Sequence, residues 1–188
     1  MKPDARRVAP LAALAIICGL AANAACADND FIVYSPYVVQ GQSEVELYGF
    51  SSRDARSELN GASGYNLSVA HAFTGWWKAE VYLGSFNRDP GGSTQLSGNE
   101  FENTFQLTAP GEFWADVGFL ASYEYSKQPA TPDSVEFGPL FEKLSGHLDQ
   151  RLNLVWKIPL GGGAGVSNEF RSAYSISYKT EFGRATFA

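Results

Sequence analysis

Apolar and polar side chains alternate along most of the chain. From about Tyr34 onward, apolar residues recur at every second position, and no stretch sustains the 3.6-residue period of an amphipathic helix. Such alternation predicts β-strands that have one apolar and one polar face. Eight segments follow the rule, at residues 44–48, 65–73, 76–83, 100–107, 113–125, 135–142, 148–157 and 170–179. The sequence therefore predicts an all-β protein of about eight strands.

The connections between these segments alternate between long and short. Residues 51–63, 87–98, 126–133 and 159–168 form long connections, whereas Thr74-Gly75, Ala109-Pro110-Gly111 and residues 144–146 form short turns. Barrels of bacterial outer membranes have short periplasmic turns and longer external loops. We therefore predict an antiparallel up-and-down transmembrane β-barrel of about eight strands, a number that closes into a tube narrow enough for side chains to fill. The apolar stripes would face lipid and the polar faces would line the interior.

A soluble β-sandwich would use the same alternation in the opposite sense, because it would bury the apolar stripes between two sheets. Aromatic residues near the predicted strand ends favour the membrane alternative, since such residues form girdles at both membrane interfaces. Those residues are Phe73, Trp76, Trp77, Phe113, Tyr125, Trp156 and Tyr178.

Residues 1–27 are predicted to be a signal peptide. A positively charged start precedes an apolar run at residues 11–20, which is too short to span a membrane, and small-residue sites permit cleavage after Ala24 or Ala27. Lipidation of Cys26 is an alternative processing route. Together with the strand pattern, export predicts that residues 28–188 form a β-barrel in the outer membrane of a Gram-negative bacterium. Its expected partners are outer-membrane lipid and the barrel assembly machinery.

Composition narrows the possible classes further. The chain has 188 residues, 45% of them hydrophobic and 18% charged, which excludes a disordered protein. Its 14 Lys and Arg against 20 Asp and Glu exclude a basic nucleic-acid binder. The two cysteines, Cys18 and Cys26, fall within the predicted signal peptide, so no disulfide framework is expected in residues 28–188.

Charged residues are concentrated on the predicted polar faces. The acidic positions are Glu44, Glu46, Glu80, Glu100, Glu102, Asp116, Glu124, Glu136, Glu142 and Asp149, and the basic positions are Lys78, Arg151, Lys157, Arg171 and Lys179. We expect them to pair inside the barrel and to plug it. The main members of this ion-pair network are predicted to be Lys78, Glu80, Glu102, Glu124, Glu136 and Arg151.

Few residues suggest further chemistry. The only histidines, His71 and His147, lie beside short turns, and neither has the His-x-Ser arrangement of barrel deacylases. His147 with Ser145 and Asp149 is the nearest approach to a catalytic cluster, although a solvated turn histidine is the commoner role. The paired carboxylates of Glu44 with Glu46, and of Glu100 with Glu102, could hold a divalent cation, although partners for interior Lys and Arg are their commoner role. We predict no cofactor, no metal and no enzymatic activity.

These observations predict an integral outer-membrane barrel with a structural role or a narrow passage for small solutes. The alternatives are a lipid-modifying barrel enzyme and a soluble periplasmic β protein that binds an apolar ligand.

Three residues fit the predicted barrel poorly. Pro139 lies within a predicted strand, where it lacks an N–H to donate, so a bulge or an early strand end is expected. Asn103 and Gln150 fall on the predicted lipid face, and each needs a polar partner or a position at the membrane interface.

Three stretches of the chain are similar in sequence to known proteins: residues 74–80 (TGWWKAE), 101–118 (FENTFQLTAPGEFWADVG) and 135–140 (VEFGPL). In these, the chain resembles an uncharacterised family of proteobacterial outer-membrane β-barrel proteins, over roughly residues 35–178. The resemblance implies the same membrane location and brings no established activity or functional residue. Similar proteins continue beyond the point that corresponds to Ala188, which implies a truncated chain and leaves its exact strand count open.

Overall fold

The computed structural model describes residues 32–57, 60–129, 131–161, 166–178, 180–182 and 185–187. The predicted signal peptide, its cleavage sites and Cys26 lie outside the described residues. No helix long and apolar enough to cross a bilayer occurs within the part of the chain that is described.

Eight antiparallel strands form one sheet in up-and-down order, so that each strand pairs with the next along the chain. This arrangement confirms the predicted all-β, up-and-down fold. The strands are β1 (Ser43–Ser51), β2 (Ser63–Ala72), β3 (Trp77–Arg88), β4 (Gln95–Gln106), β5 (Asp116–Ser126), β6 (Asp133–Ser145), β7 (Leu148–Leu160) and β8 (Glu169–Tyr178). A separate hairpin consists of β9 (Thr180–Phe182) and β10 (Ala185–Phe187).

The sheet curls into a half-barrel, and within the described strands β1 and β8 are not paired with each other. The predicted closure of eight strands into a tube is therefore not observed in this part of the chain. The number of strands that closes a barrel depends on their tilt and stagger. Residue alternation does not encode either quantity.

The two faces of the sheet differ sharply in exposure. In β3, Glu80 and Tyr82 are 4% and 2% exposed. The residues that alternate with them, Val81 and Leu83, are 41% and 55% exposed. The other central strands follow the same rule, because successive residues of a strand point to opposite sides. The concave face is therefore polar and buried, and the convex face is apolar and exposed.

A segment without regular structure, residues 32–40, lies across the concave face and is called the inner segment. Its Tyr34 packs on the one small apolar cluster of the concave side that the described residues form, Leu120, Leu140 and Val155. At Gly118 the two backbones approach so closely that a Cβ atom there would lie 2.6 Å from Cβ of Pro36. Glycine at this position therefore allows the inner segment to reach the sheet.

The connection between β4 and β5 differs from the prediction. The predicted short turn at Ala109-Pro110-Gly111 is part of a longer connection, residues 107–115, so the strict alternation of loop lengths is wrong at this point. The side chains of Thr108 and Asp116 accept hydrogen bonds from the N–H groups of Val117 and Gly111, at 2.9 and 2.7 Å. These bonds hold the chain in a compact loop, although the apolar alternation continues through it.

Pro139 does not end its strand. β6 continues to Ser145, and the cross-strand partners resume at Leu140 in the same register as at Phe137. The expected bulge or early end is therefore replaced by a local gap in the pairing with β7. This gap accommodates the missing N–H.

The two amides that were predicted on the lipid face, Asn103 and Gln150, have partners. Trp77 Nε1 donates a hydrogen bond to Asn103 Oδ1 at 2.9 Å, and the Tyr174 hydroxyl donates to Gln150 Oε1 at 3.0 Å. Both partners are aromatic residues of neighbouring strands. The expectation that each amide needs a polar partner is confirmed.

Candidate functional site

The inner segment is attached to the concave face mainly through side chains of four different strands. Tyr34 exchanges two hydrogen bonds with the Asn153 amide, through its N–H at 2.7 Å and its carbonyl oxygen at 3.0 Å. The Val38 N–H donates to Gln106 Oε1 at 2.8 Å. An amide side chain thus replaces the neighbouring strand that would otherwise satisfy this backbone.

Two hydroxyl groups of the inner segment bind buried carboxylates. Ser35 Oγ donates to Glu142 Oε2 at 2.5 Å, and the Tyr37 hydroxyl donates to Asp116 Oδ2. Both carboxylates are nearly inaccessible to solvent, because Glu142 is 1% exposed and Asp116 is 5% exposed. Hydrogen bonds to charged groups are stronger than neutral ones, so these two contacts are strong contributors to docking of the segment.

Burial keeps both tyrosines of the inner segment protonated. Desolvation, followed by the nearby Glu102 carboxylate, raises the pKa of Tyr34 well above its ordinary value. Desolvation and the hydrogen bond to Asp116 raise the pKa of Tyr37. Tyr37 therefore remains a hydrogen-bond donor throughout the pH range in which proteins are normally folded.

Among the described residues, the ion pairs of the concave face are grouped in three clusters. In the first, Lys78 Nζ lies 3.3 Å from Glu44 Oε2 and 4.0 Å from Glu80 Oε2. In the second, Arg151 lies between Glu142 and Asp149, at 3.2 and 2.9 Å.

The third cluster contains two basic residues. Lys157 Nζ lies 2.6 Å from Glu124 Oε2 and 3.0 Å from Glu136 Oε1. Arg171 lies 3.4 Å from Glu136 Oε1 and 3.0 Å from Glu169 Oε2. Glu136 therefore joins two neighbouring bases of β7 and β8.

Five of the six predicted network residues are divided among these clusters. Lys78 lies with Glu80, Glu124 lies with Glu136, and Arg151 lies apart from both pairs. Glu102 forms no ion pair within the described part of the chain, and both oxygens of its buried carboxylate lack a hydrogen-bond partner there. It lies in register between Glu80 and Ser122, so its nearest charged neighbour across the strands is another acid.

The prediction counted four further ion-pair residues among the charges expected to pair, but not among the main members of the network. Glu142, Asp149, Lys157 and Arg171 all take part in ion pairs. Their alternation was visible, but the register between strands decides which charges meet. The inner segment was missed altogether, because it has neither the period of a strand nor that of a helix.

Little free space remains between the inner segment and the sheet. A cavity of about 50 Å³ lies there, lined by side chains that include Tyr34, Glu136 and Arg171. This volume accommodates no more than a few water molecules. The inner segment and the ion pairs therefore fill this part of the concave side.

The histidines and carboxylate pairs show no organised chemical site. His71 Nδ1 lies 2.8 Å from Ser43 Oγ and its ring contacts Phe73, while the His147 ring lies 5.7 Å from that of Tyr178. No group of three or more His, Cys, Asp or Glu side chains in the described residues is arranged to hold a metal ion. The geometry thus adds nothing in favour of a cation site at Glu44 and Glu46 or at Glu100 and Glu102.

Replacement of Lys157 by methionine should destabilise the third cluster. The ammonium group is partly exposed, so we expect a loss of about 1–2 kcal/mol in the free energy of unfolding, less than for a fully buried pair. Urea unfolding of the folded protein measures the change. The matched control is Lys127→Met, since the Lys127 ammonium group forms no ion pair among the described residues and lies 5.7 Å from the centroid of the Tyr125 ring. This variant should change stability by no more than about 0.5 kcal/mol. Equal losses in the two variants would contradict a specific role of the cluster.

Comparison of the chain with models of protein families, with curated proteins and with solved structures gave no match.

Proposed function

We propose that this chain forms the wall of an integral outer-membrane β-barrel, with its convex face against lipid and its polar concave face inside. One observation carries the proposal: the sheet buries its charged side and exposes its apolar side. On the convex face, Val45 and Leu47 are each 73% exposed. In water, a continuous apolar surface of this kind is unfavourable unless a lipid or a protein partner covers it.

The ends of the sheet support a membrane position. Trp76 and Tyr178 are exposed near the short turns, and Phe113 is exposed in the β4–β5 connection at the same end of the sheet. Tyr125 and Phe170 are exposed near the opposite end. Tryptophan and tyrosine prefer the interfaces of a bilayer, where one side of the ring is apolar and the other is wet. The short turns would then lie on the periplasmic side.

The bilayer also constrains the two edges of the sheet. Lipid offers no hydrogen bonds, so an unpaired strand edge is not tolerated in the hydrocarbon region. We therefore infer that β1 and β8 have strand neighbours in the assembled barrel. Both edge strands have partly exposed side chains on their concave face as well, which fits a continuation of the curved wall beyond them.

The filled concave side favours a membrane-embedded structural role over an open pore. The inner segment is hydrogen-bonded to side chains of β4, β5, β6 and β7, and the ion pairs cross-link neighbouring strands. Passage of small solutes would be confined to what remains of the barrel interior. No observation favours a lipid-modifying enzyme, and a soluble apolar-ligand protein would bury the stripes that are exposed here.

Membrane fractionation of the producing cells tests this proposal. We expect the protein in the outer-membrane fraction, and the detergent-extracted protein should migrate faster in gels before heating than after it, as a folded barrel does. Protein that stays soluble without detergent and is absent from membranes would contradict the proposal.

A further inference from the structure

A groove lies on the convex face close to the short turns. Trp114, from the β4–β5 connection, is 81% exposed and stands at one side of it. The floor is apolar and is formed by Phe141 of β6 with Leu152 and Leu154 of β7, and Tyr174 of β8 also lines it. The groove has a volume of about 580 Å³, which is within the range of small-molecule sites.

One basic side chain lies at this groove. Lys143 Nζ is 4.4 Å from the centroid of the Trp114 ring and donates a hydrogen bond to the Trp114 carbonyl oxygen at 3.0 Å. Among the described residues, no carboxylate oxygen lies within ion-pair distance of this ammonium group. The basic residues of the concave face differ in this respect, because each of them forms ion pairs: Lys78, Arg151, Lys157 and Arg171. The remaining hydrogen-bonding capacity of Lys143 is available to an anion.

The position of Lys143 on the sheet is unusual. The eight described strands place no other lysine or arginine on the half of the convex face that lies nearest the short turns. The neighbour of Lys143 in register on β7 is Gln150, a polar amide on the same face. A charge at a lipid-facing position is costly unless it lies at the interface and meets an opposite charge.

We propose that this groove binds a glycerophospholipid, with the phosphate at Lys143 Nζ and an acyl chain along Phe141, Leu152 and Leu154. The proposal rests on the proposed membrane position, which puts the short turns at the periplasmic leaflet. The ammonium group of Lys143 lies at the end of the groove nearest the short turns. A negatively charged phosphate headgroup is therefore expected at that end. The apolar floor then extends from that end towards the middle of the sheet, as an acyl chain would.

Native mass spectrometry of the full chain in non-ionic detergent, titrated with dioleoylphosphatidylglycerol, tests the site. We expect saturable binding of one lipid, weakened about tenfold by Lys143→Gln, because a charge-assisted contact is removed. Lys143→Arg should keep the affinity within about threefold of the original protein, since it retains the charge. Leu154→Trp should weaken binding about tenfold by filling the groove without changing any charge.

The matched control is Lys127→Gln, which removes a lysine that also contacts an aromatic ring but lies beside a long loop. It should leave the affinity unchanged within about twofold. Glycerol 3-phosphate at the same concentration should not displace the lipid, because it has no acyl chain.

Equal affinity for the original protein and Lys143→Gln, or equal weakening by Lys127→Gln, would overturn the proposal. Each protein is first checked for heat-modifiable migration and for flotation with vesicles. A protein that folds and floats but shows no selective lipid binding defeats only the lipid site. A protein that does not float defeats the membrane proposal itself.

Discussion

Arginine in place of Val81 should destabilise the membrane-inserted protein by about 2–4 kcal/mol, as a basic side chain does near the middle of a bilayer. Val81 is exposed on the convex face and lies in register between Val69 and Phe101. In a water-soluble protein, an exposed substitution of this kind usually changes stability by less than about 0.5 kcal/mol. The predicted loss therefore arises from lipid contact and not from packing. Folding into phospholipid vesicles as a function of urea concentration measures it.

Val39→Arg is the matched control for this experiment. Val39 is also an exposed valine, but it lies outside the strands, next to the turn that precedes β1. We expect its replacement to change the free energy of unfolding by no more than about 0.5 kcal/mol. If Val81→Arg is as harmless as Val39→Arg, the convex face does not contact lipid at this depth, and the membrane orientation of the sheet is wrong.

Removal of the two hydroxyl groups of the inner segment should release it from the concave face. The double variant Ser35→Ala, Tyr37→Phe leaves the buried carboxylates of Glu142 and Asp116 without these donors, at a cost of about 1–3 kcal/mol for each contact. The open population of the segment should then rise by at least about tenfold. Chymotrypsin cleavage near Tyr34, timed on the folded protein, follows that population when opening and closing are fast.

The control for the inner segment is Ser43→Ala, Tyr65→Phe, which removes the same two hydroxyl types from β1 and β2. Neither residue belongs to the inner segment, and the Tyr65 ring is stacked on Phe86 on the convex side. Cleavage near Tyr34 should proceed at the original rate. If both double variants are cleaved at the original rate, the two carboxylate contacts do not hold the segment in place.

The sequence was sufficient to predict the strands because their two faces meet different surroundings. In β2 and β3, the apolar positions of the predicted stripes lie on the convex side. In β3 this holds as far as Tyr82, after which the pairing with β4 becomes irregular. The loop before β5 was predicted poorly for the same reason, since Phe113 and Ala115 continue the alternation although they precede the strand. Its shape depends on hydrogen bonds to Thr108 and Asp116, which no periodicity reveals.

The candidate site was predictable as a set of residues but not as an arrangement. Alternation placed Lys157 and Glu136 on the polar face, but their contact requires the register between β6 and β7. The isolation of Glu102 from any base depends on the same register. The inner segment carries hydrogen-bonding groups that are common in any loop, so its position could be found only from the folded sheet.

The attachment of the inner segment also constrains the order of folding. Its hydrogen bonds to side chains of the sheet join residues that are 68 to 119 positions apart in the chain, whereas each strand of the sheet pairs with its immediate successor. Contacts between distant residues form slowly, because the intervening chain must first lose its conformational freedom. The inner segment is synthesised before all eight strands, but it should be the last part to reach its final place, after β4 to β7 have assembled the surface that receives it.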